Sequence, residues 1–267
     1  MSKLITKIVK LPTILREIPN FLRTRIREFA NLLCPQRCFG CDDFIDSDIS
    51  FCKRCETLVT LPIADACPRC GGKRKGTGNV CGRCRNVTFV FERIITLGVY
   101  DGLLRLLILR MKNDRAGILS ASVTKLLFVK REQQLQSLQA DIIIPVPMHR
   151  ARRFWRGVNS PDTIADELAA QLRIPALPSL IVRSKYTKPQ RALTPSQRKS
   201  NLKNAFTFRK RNSESAVRNK RVIVVDDIVT TGATLNAMSQ LLLNAGAVSI
   251  VVVAIGRAAG TTGKTRI

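Results

Sequence analysis

Two adjacent carboxylates, Asp226 and Asp227, are the residues of this sequence with the clearest chemical potential. They come directly after the apolar run 222–225, which is typical of a buried β-strand, and before the Thr/Gly turn 230–232. A glycine-containing turn that opens a helix offers backbone N–H groups and the positive end of the helix dipole to a phosphate. Because two carboxylates would repel a bare polyphosphate, we predict a ligand that combines a phosphate with sugar hydroxyls.

The elements that must position these residues are a strand, a helix and a second strand. After the turn, apolar residues recur with the period of an amphipathic helix, at Leu235, Met238, Leu241, Leu242 and Ala245. Gly246 stands where such a helix is expected to stop, and the apolar run 249–255 completes a βαβ unit. The unit predicts a parallel sheet with a right-handed crossover, whose ligand crevice lies beyond the carboxyl ends of the strands. An ordinary strand–turn–helix with a polar rim is the alternative interpretation.

Eight of the nine cysteines form four CxxC pairs between residues 34 and 90. The pairs, separated by ten, eleven and ten residues, are Cys38/Cys41, Cys52/Cys55, Cys67/Cys70 and Cys81/Cys84. Each CxxC knuckle can point two thiolates at one ion, and two knuckles complete a tetrahedral shell around Zn²⁺. Pairing in sequence order predicts one zinc on the first two pairs and another on the last two, whereas interleaved pairing satisfies the same spacing. The ninth cysteine, Cys34, is expected to face the core.

Disulfides and redox chemistry are the alternatives for these cysteines. An intracellular chain would keep the thiols reduced, which disfavours disulfides. Four copies of the CxxC motif fit a scaffold better than a catalyst, so we expect a structural role for one or two zinc ions.

A basic turn that contains the only histidine and the only tryptophan is a second candidate anion site. It follows the predicted buried strand 141–147, and Ser160 and Pro161 after it predict a helix start, as N-cap and first helical position. Its arginines could hold a pyrophosphate and its aromatic rings could stack on bases; these residues are Arg150, Arg152, Arg153, Arg156, Phe154 and Trp155. The alternatives are a solvated loop with both aromatics packed inward, and a His149 that orients the loop by hydrogen bonding.

The charge of the chain is strongly positive. Its 267 residues include 45 Lys and Arg against 19 Asp and Glu, for a formal net charge of +26. One small phosphorylated substrate does not need that much charge, which indicates a polyanion, with nucleic acid first and an anionic membrane surface second. Residues 183–221 are the most biased, with 13 Lys or Arg and one acidic residue, and we favour nucleic-acid contact there over a solvated face.

The basic and apolar segment 1–33 is interrupted by Pro12, Pro19 and scattered charges, so it does not fit a signal peptide. It fits an amphipathic helical extension that touches a membrane or a nucleic acid, or one that packs on the next domain with a solvated basic face. No stretch approaches the roughly 18 uninterrupted apolar residues of a transmembrane helix. We expect a cytoplasmic protein. A peripheral position at the inner membrane is the alternative.

With these motifs in place, the chain resembles the ComF (competence protein F) family, which is phosphoribosyltransferase-like with an N-terminal zinc module. The resemblance runs from about Cys38 to Gly256. The segment VIVVDDIVTTGAT is similar to the phosphoribosyl-pyrophosphate (PRPP) signature of type I phosphoribosyltransferases, and PVPMHRARRFWRGVN is similar to the family pattern PVPxHxxRxxxRGxN. The family usually has Phe and Gln around Asn159, where this chain has Val158 and Ser160.

This resemblance implies a role for each matched residue. Asp226 and Asp227 would bind the ribose hydroxyls of PRPP, and its 5′-phosphate would be bound by Thr230, Thr231, Gly232, Ala233 and Thr234. The pyrophosphate loop would consist of His149, Arg152, Arg153, Arg156 and Asn159, with Mg²⁺ accompanying PRPP. Nucleic-acid contacts are expected from Trp155, Lys188, Arg191, Arg198 and Lys203. No residue stands out as a general base.

The implied architecture is an α/β domain over 91–267, a type I phosphoribosyltransferase-like parallel sheet with helices on both faces. A Cys-rich zinc-ribbon module over 34–90 would precede it. The implied function is PRPP binding together with single-stranded DNA in DNA uptake (competence) or DNA utilisation, with DNA-uptake machinery at the inner membrane face as an expected partner. Two alternatives stay open, a nucleobase salvage phosphoribosyltransferase and a non-enzymatic zinc-dependent nucleic-acid-binding adaptor. An active enzyme would be a glycosyltransferase that releases pyrophosphate from PRPP.

Overall fold

The structure is a computed structural model of the chain, and it describes residues 35–47, 49–74, 81–85, 87–148, 159–183, 205–210 and 213–258. By contacts between Cα atoms the chain divides into two compact units, Met1–Cys52 and Lys53–Ile267. Among the residues whose placement is described, no helix combines the length and the apolar character that crossing a bilayer would require. The predicted helical extension over 1–33 lies outside the described residues.

The described part of the first unit is organised around one CxxC knuckle. The backbone N–H of Cys38 donates to the carbonyl of Asp43 at 2.8 Å, and the N–H of Asp42 donates back to the carbonyl of Cys38 at 2.8 Å. Asp42 takes a left-handed backbone with φ of 66°, which closes the tight turn. The Phe39 and Phe51 rings lie beside each other with centroids 6.0 Å apart. A short turn and one aromatic pair thus replace a conventional core here.

The second unit combines helices and strands, and it includes the strand–helix–strand unit that the sequence predicts. Its α-helices are α1 (Lys53–Val59), α2 (Gly82–Arg85), α3 (Gly102–Met111), α4 (Ile118–Gln136), α5 (Ser160–Leu172) and α6 (Ala233–Asn244). Its strands are β1 (Arg93–Val99), β2 (Ile142–Pro145), β3 (Ile181–Arg183), β4 (Phe206–Phe208), β5 (Arg221–Val229) and β6 (Ser249–Arg257). Short 3₁₀ turns occupy Ile63–Asp65 and Ser213–Ala216.

Four strands form one parallel sheet in the order β1-β6-β5-β2, which confirms the predicted parallel sheet. Parallel neighbours need long crossovers, and helices supply them here: α3 and α4 lie between β1 and β2 in the chain, and α6 lies between β5 and β6. A separate antiparallel pair joins β3 to β4, with Val182 opposite Thr207.

Strand β5 is longer than the predicted run 222–225, because its pairing with β6 continues to Val229, opposite Arg257. On its other side, the pairing with β2 stops where Pro145 lies opposite Val225. The last ladder bond there is donated by the N–H of Val146 to the carbonyl of Val225 at 2.8 Å, and Pro147 follows directly. The aspartates therefore lie within β5 but beyond the end of β2, where the sheet opens.

Helices cover both faces of the sheet, as the fold class predicted. Alternate residues of a strand point to opposite faces. Val222 and Val224 of β5 lie in one buried apolar cluster with Met238 of α6. The intervening residues of β5 are also buried, and helices α4 and α5 contact strands of the sheet. The same cluster contains Cys67, Cys70 and Cys84, so the second set of cysteines belongs to the core of the α6 face.

The free edge of β1 is covered by the segment that carries Cys67 and Cys70. The N–H of Ile94 donates to the carbonyl of Arg69 at 3.0 Å, and the Thr96 hydroxyl donates to the carbonyl of Gly71 at 2.8 Å. Gly71 has φ of +65°, and a Cβ there would lie 2.8 Å from the carbonyl oxygen of Ile94. Only glycine allows this approach, which satisfies hydrogen-bonding groups of an edge strand.

Candidate functional site

The acidic pair lies on β5 at the carboxyl edge of the sheet. Asp226 and Asp227 are both half-buried, and a carboxylate oxygen of Asp226 accepts a hydrogen bond from the N–H of Asp227 at 2.9 Å. Burial of the Asp226 carboxyl group, followed by the neighbouring Asp227 carboxylate, raises the pKa of Asp226 well above its usual range. A paired carboxylate that is costly to ionise is suited to a ligand that brings hydrogen-bond donors or positive charge.

Lys112, just after the last residue of α3, is a member of this site that the sequence did not predict. Its Nζ lies 3.3 Å from Oδ2 of Asp227, and the two side chains are 26% and 17% exposed. Its charge acts against the rise in the pKa of Asp226. The sequence offered no signal for the pairing, because the residues come from distant parts of the chain.

The Thr/Gly loop, which we define as residues 230–234, runs from the end of β5 into the first two residues of α6. Gly232 has φ of +83°, and a Cβ there would lie 2.9 Å from Cε1 of Phe89. The hydroxyl oxygen of Thr231 accepts a hydrogen bond from the N–H of Ala233 at 3.3 Å, and the side chains of Thr230 and Thr231 are exposed. The first N–H groups of a helix have no intrahelical acceptor, so the start of α6 presents donors and a positive dipole end beside the acidic pair.

Asn159 is the one predicted residue of the pyrophosphate loop that the structure describes. It is buried, and its amide donates to the carbonyl of Val146 at 3.3 Å and to a carboxylate oxygen of Asp162 at 2.7 Å. Asn159 also occupies the N-cap position of α5, so the prediction that Ser160 is the N-cap was wrong by one residue. Ser160 donates instead to the carbonyl of Met111 at 3.3 Å. Asn159 is thus tied to the segment just after β2, and Ser160 is tied to the end of α3.

Several predicted residues lie outside the described part of the chain. They are Cys34, the remaining members of the basic turn (His149, Arg150, Arg152, Arg153, Phe154, Trp155 and Arg156) and the expected nucleic-acid contacts Lys188, Arg191, Arg198 and Lys203. Their roles stay predictions.

The eight cysteines of the CxxC motifs form two clusters in sequence order. We call Cys38, Cys41, Cys52 and Cys55 the first cluster, and Cys67, Cys70, Cys81 and Cys84 the second cluster. Within each cluster the ligand atoms all lie within 4.8 Å of one another, which favours sequential over interleaved pairing. All eight are free thiols, so the disulfide alternative is not what the structure shows.

The spacing of the sulfur atoms fits a tetrahedral metal site. Zn–S bonds of about 2.3 Å place the sulfurs of a tetrahedral site about 3.8 Å apart. The Cys41–Cys52, Cys70–Cys81 and Cys67–Cys84 sulfur pairs are 3.7, 3.6 and 4.0 Å apart. Four soft thiolates at these distances are the donor set that structural zinc prefers, so the residues fit the ion.

Backbone hydrogen bonds prepare one sulfur of each cluster for metal binding. Burial acts to raise the pKa of the Cys67 thiol, but backbone N–H groups outweigh it and lower the pKa to about 7. The same balance lowers the pKa of Cys38 to about 7. The thiolate is the form that ligates a metal, so these two sulfurs are poised for that role at neutral pH.

Comparison with protein families supports the predicted fold class of both parts of the chain. The "Phosphoribosyl transferase domain" family matches residues 163–265, and the "Double zinc ribbon domain" family matches residues 29–85. The second match includes all four CxxC motifs, from Cys38 to Cys84. The fold is therefore phosphoribosyltransferase-like, and a double zinc ribbon precedes it.

Individual relatives give a more specific assignment. "Competence protein F" of Haemophilus influenzae is 35% identical over 213 residues, which cover 78% of this chain and 90% of the relative. "DNA utilization protein YhgH" of Escherichia coli O157:H7 is 33% identical over 187 residues, which cover 69% of this chain and 80% of the relative. The chain belongs to the ComF (competence protein F) family.

Among solved structures, glutamine PRPP amidotransferase from B. subtilis is similar to this chain with a TM-score of 0.30 and 20% identity. The match covers 48% of this chain and 26% of the enzyme, so the chain spans about a quarter of that protein's length.

Proposed function

We propose that this protein binds PRPP together with Mg²⁺ and acts with single-stranded DNA in DNA uptake or DNA utilisation. The observation that carries the ligand proposal is the arrangement of the acidic pair beside the Thr/Gly loop. Carboxylates that can accept from sugar hydroxyls and a helix start that can bind a phosphate lie next to each other at one edge of the sheet. A ribose 5-phosphate group has hydroxyls that suit the carboxylates and a phosphate that suits the helix start.

Each described residue has a defined role in this proposal. Asp226 and Asp227 accept hydrogen bonds from the ribose hydroxyls, and the backbone N–H groups and threonine hydroxyls of the Thr/Gly loop donate to the 5′-phosphate. Lys112, at 3.3 Å from Asp227, offers positive charge to the bound phosphates. Mg²⁺ supplies charge neutralisation at the diphosphate when it is bound. The reaction class that such a site supports is displacement at C1 of the ribose with pyrophosphate leaving.

The names of the relatives and the charge of the chain support the DNA part of the proposal. The two relatives are described by their names as a competence protein and a DNA utilization protein. The net charge of +26 suits a polyanionic partner, and phosphate contacts by Lys and Arg dominate nucleic-acid affinity. We propose a position in the cytoplasm, where both PRPP and internalised single strands would be available.

We also propose that each cysteine cluster holds one structural zinc ion. The sulfur spacing and the match to a double zinc ribbon support two ions for each chain. Metal analysis of the purified protein tests this directly. A soluble preparation with clearly fewer than two zinc ions for each chain would contradict it.

The PRPP proposal is tested by calorimetric titration of the full zinc-loaded chain with PRPP and Mg²⁺. We expect binding that Asp227→Asn weakens by about tenfold to a hundredfold, the size of a lost hydrogen bond to a charged group. Asp141→Asn is the matched control. Asp141 accepts from the N–H of Arg221 at 2.7 Å, at the opposite end of β5 from the acidic pair, so PRPP affinity should not change. Equal losses in both variants, or no binding by the wild type, would contradict the proposal.

The DNA proposal is tested by gel shifts with a single-stranded oligonucleotide over a series of salt concentrations. We expect affinity that falls as salt rises, and a larger loss in Arg191→Gln/Arg198→Gln than in a control with the same charge change. Lys53→Gln/Arg54→Gln is that control, since both residues are exposed on α1. No shift at low salt would overturn the DNA part. Pyrophosphate release from PRPP with a free base would instead favour a salvage phosphoribosyltransferase.

A further inference from the structure

Arg257, the last residue of β6, has a buried guanidinium that reaches the start of the Thr/Gly loop. The residue is 1% exposed. Its Nη1 donates to the carbonyl of Val229 at 2.8 Å and also donates to the carbonyl of Thr230. The carbonyl of Val229 accepts a second hydrogen bond, from the N–H of Ala258 at 2.9 Å. The backbone that leads from the acidic pair into the loop is therefore held from β6.

The other side of the Arg257 side chain faces the second cluster. A Cβ placed on Gly72 would lie 3.3 Å from Cγ of Arg257 and 3.5 Å from Sγ of Cys70. The aliphatic part of the arginine side chain and the cysteine sulfur therefore both lie next to Gly72. Four thiolates around Zn²⁺ leave a net negative charge on the site. In a buried environment that charge stabilises a nearby guanidinium more than it would in water.

A second connection runs from the second cluster to the loop through the segment that follows α2. The Phe89 ring lies against Gly232, where a Cβ would approach it to 2.9 Å. Asn236 of α6 fixes this segment, because its side chain accepts from the N–H of Val90 at 2.9 Å and donates to the carbonyl of Thr88 at 3.2 Å. Arg69 donates to the carbonyl of Cys84 at 3.1 Å, and its guanidinium lies 5.7 Å from the centroid of the Phe89 ring.

We propose that Arg257 is a positioning residue for the Thr/Gly loop, and that metal binding by the second cluster keeps Arg257 in place. The loop then takes its ligand-binding shape only when the second cluster is loaded. The ligand part of this proposal rests on the proposed PRPP binding, whereas the ordering of the loop does not.

The first test compares Arg257→Met with Arg131→Met in the full zinc-loaded chain. Arg131 is a matched control because it is also buried, at 4% exposed, and also donates to backbone carbonyls, those of Thr96 at 2.9 Å and Leu97 at 3.1 Å. Amide hydrogen exchange is measured for residues 231–234, and PRPP affinity is measured by calorimetry. Circular dichroism establishes the temperature at which both variants are folded.

We expect Arg257→Met to speed exchange of the loop amides by about tenfold and to weaken PRPP binding by a similar factor, the size of one lost charge-assisted hydrogen bond. Arg131→Met should leave both unchanged. Arg257→Lys, which keeps a buried positive donor and is the milder change, should recover part of the effect. Equal exchange in the two methionine variants, or loop exchange unchanged in Arg257→Met, would overturn the proposal. If the wild type binds no PRPP, the proposed function fails, and the exchange result still decides the role of Arg257.

The second test asks whether the metal acts through the second cluster in particular. Cys70→Ser and Cys41→Ser each remove one ligand, from the second and the first cluster respectively. Zinc content and loop exchange are measured on both. Of the two variants, only Cys70→Ser is expected to speed exchange of the loop amides. Wild type should show the same change when a chelator removes the metal from the second cluster. Equal loop exchange in the two serine variants contradicts the proposal, as does a loop that stays protected after the second ion has gone.

Discussion

The two cysteine clusters have the same ligands and nearly the same spacing, but different surroundings. In the first cluster Cys41 is exposed and Cys52 is half-buried, whereas in the second cluster three of the four sulfurs are buried. The second cluster also belongs to the apolar core formed by β5, β6 and α6. Identical metal-binding motifs in one chain therefore need not have identical roles. The second cluster is part of the core of the domain that carries the acidic pair.

The largest difference between the two clusters is expected when one ligand is removed from each of them. Cys84→Ser removes a thiol that is 0% exposed, and Cys41→Ser removes an exposed one. Because the binding energy of a structural zinc is folding energy, we expect Cys84→Ser to lower the free energy of unfolding of the phosphoribosyltransferase-like domain by several kcal/mol. Cys41→Ser should leave that domain's unfolding almost unchanged. Urea unfolding followed by circular dichroism, with zinc analysis, measures both, and equal losses would contradict the comparison.

A smaller effect is expected where the segment after the second cluster meets the Thr/Gly loop. Gly232→Ala would place a methyl group 2.9 Å from the Phe89 ring at a φ of +83°. A non-glycine residue in that conformation costs about 1–3 kcal/mol, so stability and PRPP affinity should both fall. Gly82→Ala is the matched control, because a Cβ there meets nothing within 4 Å. The prediction is wrong if the two alanine variants unfold at the same urea concentration.

The acidic pair allows a test by pH in which wild type and variant carry the same cysteine clusters, so the effect of pH on the clusters is common to both. The pKa of Asp226 is higher in the folded protein than in the unfolded chain, so the folded state binds more protons between these two values. The Asp226 contribution to stability therefore becomes unfavourable as pH rises through the folded pKa. We expect Asp226→Asn to be more stable than wild type at pH 8, with a difference that shrinks as the pH falls toward about 4. The same variant should bind PRPP more weakly, and a stability difference that does not depend on pH would contradict this account.

The smallest effect is expected from an ion pair beside the first cluster. Nη1 of Arg37 lies 3.2 Å from Oδ2 of Asp42, but the two side chains are 52% and 80% exposed. Exposed pairs contribute about 0–1 kcal/mol, so Arg37→Gln should change neither zinc content nor PRPP affinity. Thermal unfolding at low and high salt measures the remaining contribution. A large loss of zinc in Arg37→Gln would show that the first cluster depends on its surroundings as strongly as the second.

Much of the fold and of the candidate site could be predicted because the relevant residues are close in sequence. The CxxC spacing predicted both clusters, and the run 222–234 predicted the strand, the loop and the helix that follow one another there. The connections between these parts could not be predicted. Lys112 meets Asp227, and Phe89 meets Gly232, only because the sheet brings distant segments together. Arg257 gave no signal, since an arginine at the end of an apolar strand is more often solvated than buried.

The pairing of β1 with β6 has a consequence for the order in which the domain can form. β1 begins at Arg93 and its only partner in the described sheet, β6, ends at Arg257, so the first and last strands lie side by side. During synthesis β1 must wait for almost the whole domain before it can pair, which is a slow, non-local step. The segment around Arg69, whose carbonyl accepts from the N–H of Ile94, is available much earlier. This segment covers the edge of β1 opposite β6, so only the edge that β6 takes stays unpaired until β6 leaves the ribosome.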